Sequence, residues 1–248
     1  MRPTVSCICV TGKDRFHLEH FLPAAIKCFL AQTYPAALRE LILVSECELP
    51  SGYDRPQVSS VVAPDARTLG DLRNAGLDAA RGEFCLQWDD DDWHHPERIE
   101  KQVAALGEVP ARCLDLSACF LDRQLCYSFR SDTAFVREFP NTFIHGTILH
   151  RNRGTCRYPP LGREEDTCFL NHFPVPAVLD NEPQLYIRFA HGHNTWPEEH
   201  IMRQTYSLRH HWLVNDADAV LLRSVLASDY ASVPRGPDPS SPAAEPPN

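Results

Sequence analysis

No stretch of this sequence holds the roughly 18 consecutive uncharged apolar residues of a membrane-spanning helix. The N-terminal run Met1–Val10 is strand-length and turns polar at once, too short for the apolar core of a secretory signal. A cytoplasmic protein is therefore expected, with any membrane contact peripheral. There is no block of lysine and arginine either. The 24 basic residues are outnumbered by 33 acidic ones, giving a net charge of −9. That argues against a nucleic-acid partner, because phosphate binding needs a clustered cationic surface. None of the ten cysteines forms a CxxC pair, and Cys7, Cys9 and Cys85 fall inside strand-like apolar runs. Disulfide and zinc frameworks are thereby disfavoured, and reduced, mostly buried thiols are expected. No internal repeat is present.

What is present is ordinary globular composition, with 43% hydrophobic and 23% charged residues in a chain of 248, enough for one α/β domain with a full core. Thr4–Val10 is a β-branched apolar run, read as a strand. Leu18, Leu22, Ala25, Ile26, Phe29 and Leu30 recur at helical spacing, and that helix must stop before Thr33-Tyr34-Pro35. Strands are predicted at Leu41–Val44, Val58–Ala63 and Phe84–Trp88, with helices at Thr68–Ala80 and Pro96–Leu106. This alternation predicts a mostly parallel sheet flanked by helices. In the second half, Leu114–Phe120 and Gln124–Phe129 read as a hairpin about Asp122-Arg123, and Thr142–His150 as a strand. A loop at Arg151–Leu161, a short helix at Glu165–His172 and a strand at Leu185–Ala190 follow, with closing helices at Pro197–Trp212 and Asp216–Tyr230. The domain is expected to occupy residues 1–233. Residues 234–248 are rich in Pro, Ser and Ala, without apolar anchors, and read as a disordered tail.

The sharpest feature is Trp88-Asp89-Asp90-Asp91-Asp92, directly after the fourth strand. Open α/β sheets bind ligands beyond the carboxyl ends of their strands, so the acidic run lies where a site is expected. Adjacent carboxylates repel unless a cation or a helix N-terminus compensates. Asp91 and Asp92 also precede a helix, so capping is the plain alternative, but capping needs one Asp rather than four. Hard oxygen ligands suit Mn2+ or Mg2+, which complete their shells with substrate phosphates.

Together with Val5–Gly12, Gln32-Thr33-Tyr34-Pro35, Arg73–Leu77 through Ala80–Phe84, and Glu164-Glu165-Asp166-Thr167, this run resembles glycosyltransferase family 2 in order and spacing. The resemblance covers residues 4 to about 200. It implies an inverting, nucleotide-sugar-dependent enzyme with the single-domain α/β fold known as GT-A, plus C-terminal helices. Asp89-x-Asp91 matches the family's DxD motif, which makes Asp91 the metal ligand and gives Asp89 and Asp90 contacts with the donor. Thr11, Gly12 and Glu46 match nucleoside-lining positions, although Ser45-Glu46-Cys47 departs from the usual Asp-Asp-Gly turn. Arg67 and Arg73 are candidates to reach the base or the phosphates, with a solvated helix face as the alternative for each. The resemblance makes Asp166 the general base beside Glu165; dipole-favoured acids at a helix start are the alternative there. In His191-Gly192-His193-Asn194-Thr195-Trp196 a late histidine would approach the metal. His193 is taken as that ligand, and strand alternation does not separate it from His191.

The pairs His94-His95 and His210-His211 point to different faces and make no two-ligand sites. Trp93, Tyr158 and Trp196 could stack on a sugar, though core packing is the commoner fate of such aromatics. The implied reaction moves a sugar, with UDP the expected carrier, to a hydroxyl of a glycan, a lipid or a small molecule. Two other readings are a sugar nucleotidyltransferase, disfavoured because Thr11-Gly12-Lys13-Asp14-Arg15 is a poor phosphate loop, and a non-catalytic carbohydrate- or nucleotide-binding module.

Overall fold

The computed structural model describes residues 2–12, 14–138, 143–180, 182–198, 201, 211–212 and 214–235. Strand β1 (Val5–Val10) pairs in parallel with β2 (Arg39–Ser45) and with β4 (Phe84–Gln87), and β2 pairs in parallel with β3 (Val58–Val62). Strand β5 (Trp93–His94) follows the acidic run, and β6 (Ser117–Leu121), β9 (Ile144–Arg151) and β10 (Val175–Leu179) extend the sheet. The seven strands run in the order β10-β6-β9-β4-β1-β2-β3, with only β9 antiparallel to its neighbours. A second sheet, β12-β8-β7-β11-β5, is built from β7 (Arg123–Ser128), β8 (Thr133–Glu138), β11 (Tyr186–Ala190), β12 (His211–Trp212) and β5. The mostly parallel α/β architecture expected from the sequence is the one observed.

Helices α1 (Leu22–Leu30), α2 (Leu69–Ala79) and α3 (Arg98–Gly107) cover the large sheet, α4 (Glu165–Phe169) is short, and α5 (Asp216–Ser228) closes the chain. Leu222, Val225 and Leu226 of α5 and Tyr230 beyond it join the core of Phe21, Phe29, Trp88, Phe129 and Phe189. All ten cysteines are unpaired, and Cys7, Cys9 and Cys85 are buried, as expected.

Four readings need correction. Leu114–Phe120 and Gln124–Phe129 are not a hairpin: residues 111–116 form a 3₁₀ turn, and β6 and β7 lie in different sheets. The hairpin is β7–β8, with Gln124 opposite Arg137. Alternation identifies strands but not their partners. Strand β10 escapes the reading because Pro176 sits inside it; at the sheet edge, beside β6 alone, the missing N–H is tolerated. The first helix opens with a wide π-type turn, His17–Phe21, ahead of α1. Pro23 lacks an N–H for the carbonyl four residues back, which favours a wider turn there. Finally, the last two residues of the helix expected at Pro197–Trp212 form β12, while 199–200 and 202–210 lie outside the described residues. Of the expected tail, 236–248 also lie outside them.

Thr68 caps α2 by accepting from the Asp71 N–H at 3.1 Å, while the Asp71 carboxylate accepts from the Thr68 N–H at 3.0 Å. Gly70 donates its N–H to the Leu161 carbonyl at 3.0 Å, and a Cβ on Gly70 would stand 1.9 Å from the Pro159 oxygen. This contact seats the loop that leads into α4. Gly70→Ala is expected to lower stability by about 1–3 kcal/mol through overpacking. Urea denaturation measures it, and an unchanged midpoint would mean the loop moves aside freely.

Candidate active site

The carboxyl ends of β1, β2 and β4 open into a cavity of about 510 Å3. Val10 and Gly12 wall it after β1, Glu46 after β2, and Gln87 and Asp89–Asp92 after β4. Arg67 and Arg73 come from the start of α2, Glu164–Asp166 from the start of α4, and Tyr186, Arg188 and His193–Trp196 from β11 and its exit loop. The volume lies in the range of small-molecule sites.

The four aspartates coexist because each has its own partners. Asp89 accepts from Gln87 Nε2 at 3.1 Å and from the Arg73 guanidinium at 3.4 Å. Burial pushes its carboxyl up, against the lowering effect of Arg73. Asp90 holds His17 Nδ1 at 3.3 Å. Burial lowers the His17 pKa, but the hydrogen bond and charge of Asp90 raise it further, to about 9. Asp91 faces His191 Nε2 at 3.1 Å and accepts from Asn194 Nδ2 at 3.1 Å. Burial would raise its carboxyl, yet the His191 hydrogen bond and the nearby His17 and Arg188 charges hold it well below the usual range. Asp92 turns inward, accepting from the Phe189 N–H at 3.0 Å and from the Tyr186 hydroxyl. Burial pushes its carboxyl up. Neither Asp91 nor Asp92 caps α3, whose N-cap is Glu97 without a side-chain cap bond.

Beneath the run lies Arg98, fully buried, with its guanidinium over the rings of Trp88 at 5.4 Å and Tyr186 at 5.1 Å. It donates to the Gln87 carbonyl at 3.1 Å, to Gln102 Oε1 at 3.1 Å and to His94 Nδ1. His94 Nε2 in turn contacts the Asp89 carbonyl at 3.0 Å. A cation and a neutral imidazole thus support the backbone that carries the carboxylates. The imidazole stays neutral because burial, followed by the Arg98 charge, drives the His94 pKa far down.

The second acidic cluster is tied to the first. Arg73 donates to Glu165 Oε1 at 2.9 Å as well as to Asp89, so one buried guanidinium bridges them. Glu165 is 3% exposed and engages Arg73 at the cavity wall. Asp166 is half-buried at the cavity wall, and its Oδ1 accepts from the Thr167 N–H at 2.7 Å. Ahead of them Glu164 takes a left-handed φ of 62°, an uncommon conformation for a residue with a Cβ.

Several expected residues therefore meet in one cavity: Gly12, Glu46, Arg67, Arg73, Asp89, Asp90, Asp91, Glu165, Asp166 and His193. Thr11 does not line it. Strand alternation puts Thr11 on the Cys7 and Cys9 face, which is packed in the core, and its hydroxyl is buried without a partner among the described residues. Arg73 points inward to carboxylates instead of outward to a base. His193 is held by Asp14 at 3.1 Å and stacked 4.2 Å from Phe16, whereas His191 is the histidine beside Asp91. Among the described residues, the one group able to hold a metal ion is His17, Asp91 and His191, with ligand atoms within 4.8 Å of one another. His17, Arg98, Tyr186, Arg188 and Asn194 were not singled out from the sequence. A lone histidine in a helix-like run and an arginine on α3 carry no motif, and their roles depend on how the loops fold back.

Residues 7–118 match the family model described as Glycosyl transferase family 2. These residues form a glycosyl transferase family 2 domain. A 48-residue stretch, 19% of this chain, is 40% identical to EpsH of Bacillus subtilis (strain 168), a protein assigned as a glycosyltransferase, and spans 14% of it. Among solved structures, S. aureus TarS 1-349 in complex with UDP-GlcNAc aligns with a TM-score of 0.58 at 16% identity, over 90% of this chain and 66% of that one. TarS 1-349 in complex with UDP aligns at 0.53 and 18% identity, over 90% and 72%. A longer TarS structure aligns at 0.51 and 17%, over 92% of this chain and 44% of the other. At such identities the likeness is one of fold, and the chain spans less than half of that longer TarS structure. No helix among the described residues is long and apolar enough to cross a membrane.

Proposed function

We propose that the protein is an inverting glycosyltransferase that moves a sugar from a nucleotide-sugar, with UDP as the carrier, to an acceptor hydroxyl. The observation that carries this reading is the single cavity with two acidic centres on different elements, Asp91 after β4 and Asp166 on α4, joined through Asp89, Arg73 and Glu165. Inversion needs such a division, because the base and the leaving group stand on opposite sides of the sugar. The UDP and UDP-GlcNAc held by the TarS structures agree with a nucleotide-diphosphate donor.

Gly12, Glu46 and Arg67 would line the nucleoside end, and Asp89 and Asp90 the ribose and sugar. Asp91 and His191 offer a carboxylate oxygen and an imidazole nitrogen 3.1 Å apart, a donor set that fits Mn2+ or Mg2+. When bound, such an ion neutralises charge growing on the leaving diphosphate. On the other side Asp166 takes the proton of the acceptor hydroxyl as it attacks the anomeric carbon. Its Oδ1 is occupied by the Thr167 N–H, so Oδ2 is the oxygen that receives the proton. Glu165 positions this group through Arg73. The whole of residues 1–233 is proposed as the catalytic domain, acting in the cytoplasm.

Donor binding tests the reading. UDP-sugars are expected to raise the melting temperature in the presence of Mn2+, because a ligand that binds only the native state stabilises it by mass action. In Asp91→Asn that metal-dependent rise should vanish while the melting temperature without ligand stays close to wild type. A donor-induced rise insensitive to both EDTA and Asp91→Asn would sink the metal role.

A further inference from the structure

We infer that His17, on the wide turn before α1, is a third protein ligand of the divalent ion, so that the centre has two nitrogens and one oxygen and selects Mn2+ over Mg2+. The inference rests on the metal-assisted reading above and adds to it a ligand and a preference. Three segments far apart in sequence converge here, the turn after β1, the acidic run after β4 and the loop after β11. The ligand atoms of His17, Asp91 and His191 lie within 4.8 Å of one another. Two ligands at about 2.1 Å from an ion stand about 3 Å apart on neighbouring octahedral corners and about 4.2 Å apart on opposite ones. The His191–Asp91 separation of 3.1 Å is thus that of neighbouring corners, and the span of the trio closes with a shift of a few tenths of an ångström.

Two further contacts point the same way. Asn194 places its Nδ2 3.1 Å from Asp91 Oδ2 and 2.8 Å from His191 Nε2, so a donor group already sits against both atoms. On the other side, Asp90 lies 3.3 Å from His17 Nδ1. His17 Nε2 faces the His193 carbonyl at 3.4 Å, so metal binding displaces a proton there, and with Nδ1–H kept on the carboxylate the Nε2 lone pair is left to the ion. A carboxylate behind a ligating imidazole is the common outer shell of metal-bound histidines, fixing both tautomer and ring orientation. This gives Asp90 a positioning role and explains how it coexists with Asp91 without sharing its partner. The rings of His17 and His191 stand edge to face at 5.1 Å, and Phe21 covers His191 at 4.4 Å, so both imidazoles are held in place. Imidazole ligands suit transition ions, whereas Mg2+ keeps to oxygen and water.

The test uses the full chain with Mn2+ alone. Pulsed electron paramagnetic resonance should detect nitrogen couplings from two imidazoles in the wild type and from one in His17→Ala. Calorimetric titration should show Mn2+ affinity falling in His17→Ala by at least the roughly 10–100-fold that follows loss of an outer-shell partner, with Mg2+ affinity changed less. His17→Gln offers an oxygen at similar reach, and should lose one nitrogen coupling while narrowing the preference for Mn2+ over Mg2+. It also serves as the deciding variant if His17→Ala does not fold, which circular dichroism of the metal-free proteins reports. A wild type with one nitrogen coupling, unchanged in both variants and with equal Mn2+ affinity, overturns the inference and leaves metal-dependent donor binding standing. A wild type that binds no Mn2+ overturns both.

Discussion

Asp166→Asn is expected to slow single-turnover sugar transfer by about 10²–10⁴-fold, the usual cost of removing a general base. The substitution is nearly isosteric, and the amide oxygen can still accept from the Thr167 N–H that the Asp166 Oδ1 now engages. The fold should therefore be unchanged. Donor and metal affinity should be unchanged too, because the polar partners of His17, Asp91 and His191 lie in the acidic run and in the loop after β11, while Asp166 is bonded to Thr167 on α4. The companion variant Glu165→Gln should behave differently. It removes a charge that Arg73 holds at 2.9 Å, so its first effect is on stability, with a rate loss following from a displaced Asp166. Transfer by Asp166→Asn at the wild-type rate would put the base elsewhere, and a non-catalytic module would show donor binding with no turnover in either protein. Loss of donor binding in Asp166→Asn would instead assign that residue to the donor side, and the division between the two acidic clusters would fail.

The alternation of the first half was legible because each element carries its own signal. Leu41–Val44 is apolar throughout, as a strand covered on both faces must be, and Thr68 with Asp71 three residues on is a capping box. Pairing was not legible. Nothing in Leu114–Phe129 states that the chain changes sheets at Asp122, since both halves alternate correctly for either partner. The acidic run announced a site because four adjacent carboxylates require compensation. The compensating groups were hidden, because they come from distant segments: His17 for Asp90, His191 and Asn194 for Asp91, Tyr186 and the Phe189 N–H for Asp92. The choice between His191 and His193 also turned on loop geometry. Gly192 takes a φ of 83°, a turn that leaves His191 beside Asp91 and sends His193 to Asp14.

Arg73→Ala is expected to destabilise the protein by about 3–5 kcal/mol, the cost of leaving buried charges without their partner. Arg73 is 6% exposed, lies over the Tyr158 ring at 5.8 Å, and joins Asp89 on one side to Glu165 on the other. Without it, two carboxylates already pushed up by burial lose the cation that opposes that rise. They must then take up protons or draw in water, and either outcome loosens α4 from the end of β4. Urea denaturation should show a lower midpoint with an unchanged slope, the signature of altered stability rather than an altered denatured state. Arg73→Lys should recover only part of the loss, because an ammonium supplies the charge but not the planar fork that reaches both acids. The double variant Arg73→Met with Glu165→Gln removes the cation together with one of the charges it compensates. It should therefore be more stable than the sum of the single effects, a coupling that a thermodynamic cycle reads directly. If the two effects add, or if Arg73→Ala costs less than about 1 kcal/mol, the guanidinium is not the brace between the two acidic centres. Asp166 must then be held in place by Thr167 and the left-handed turn at Glu164 alone.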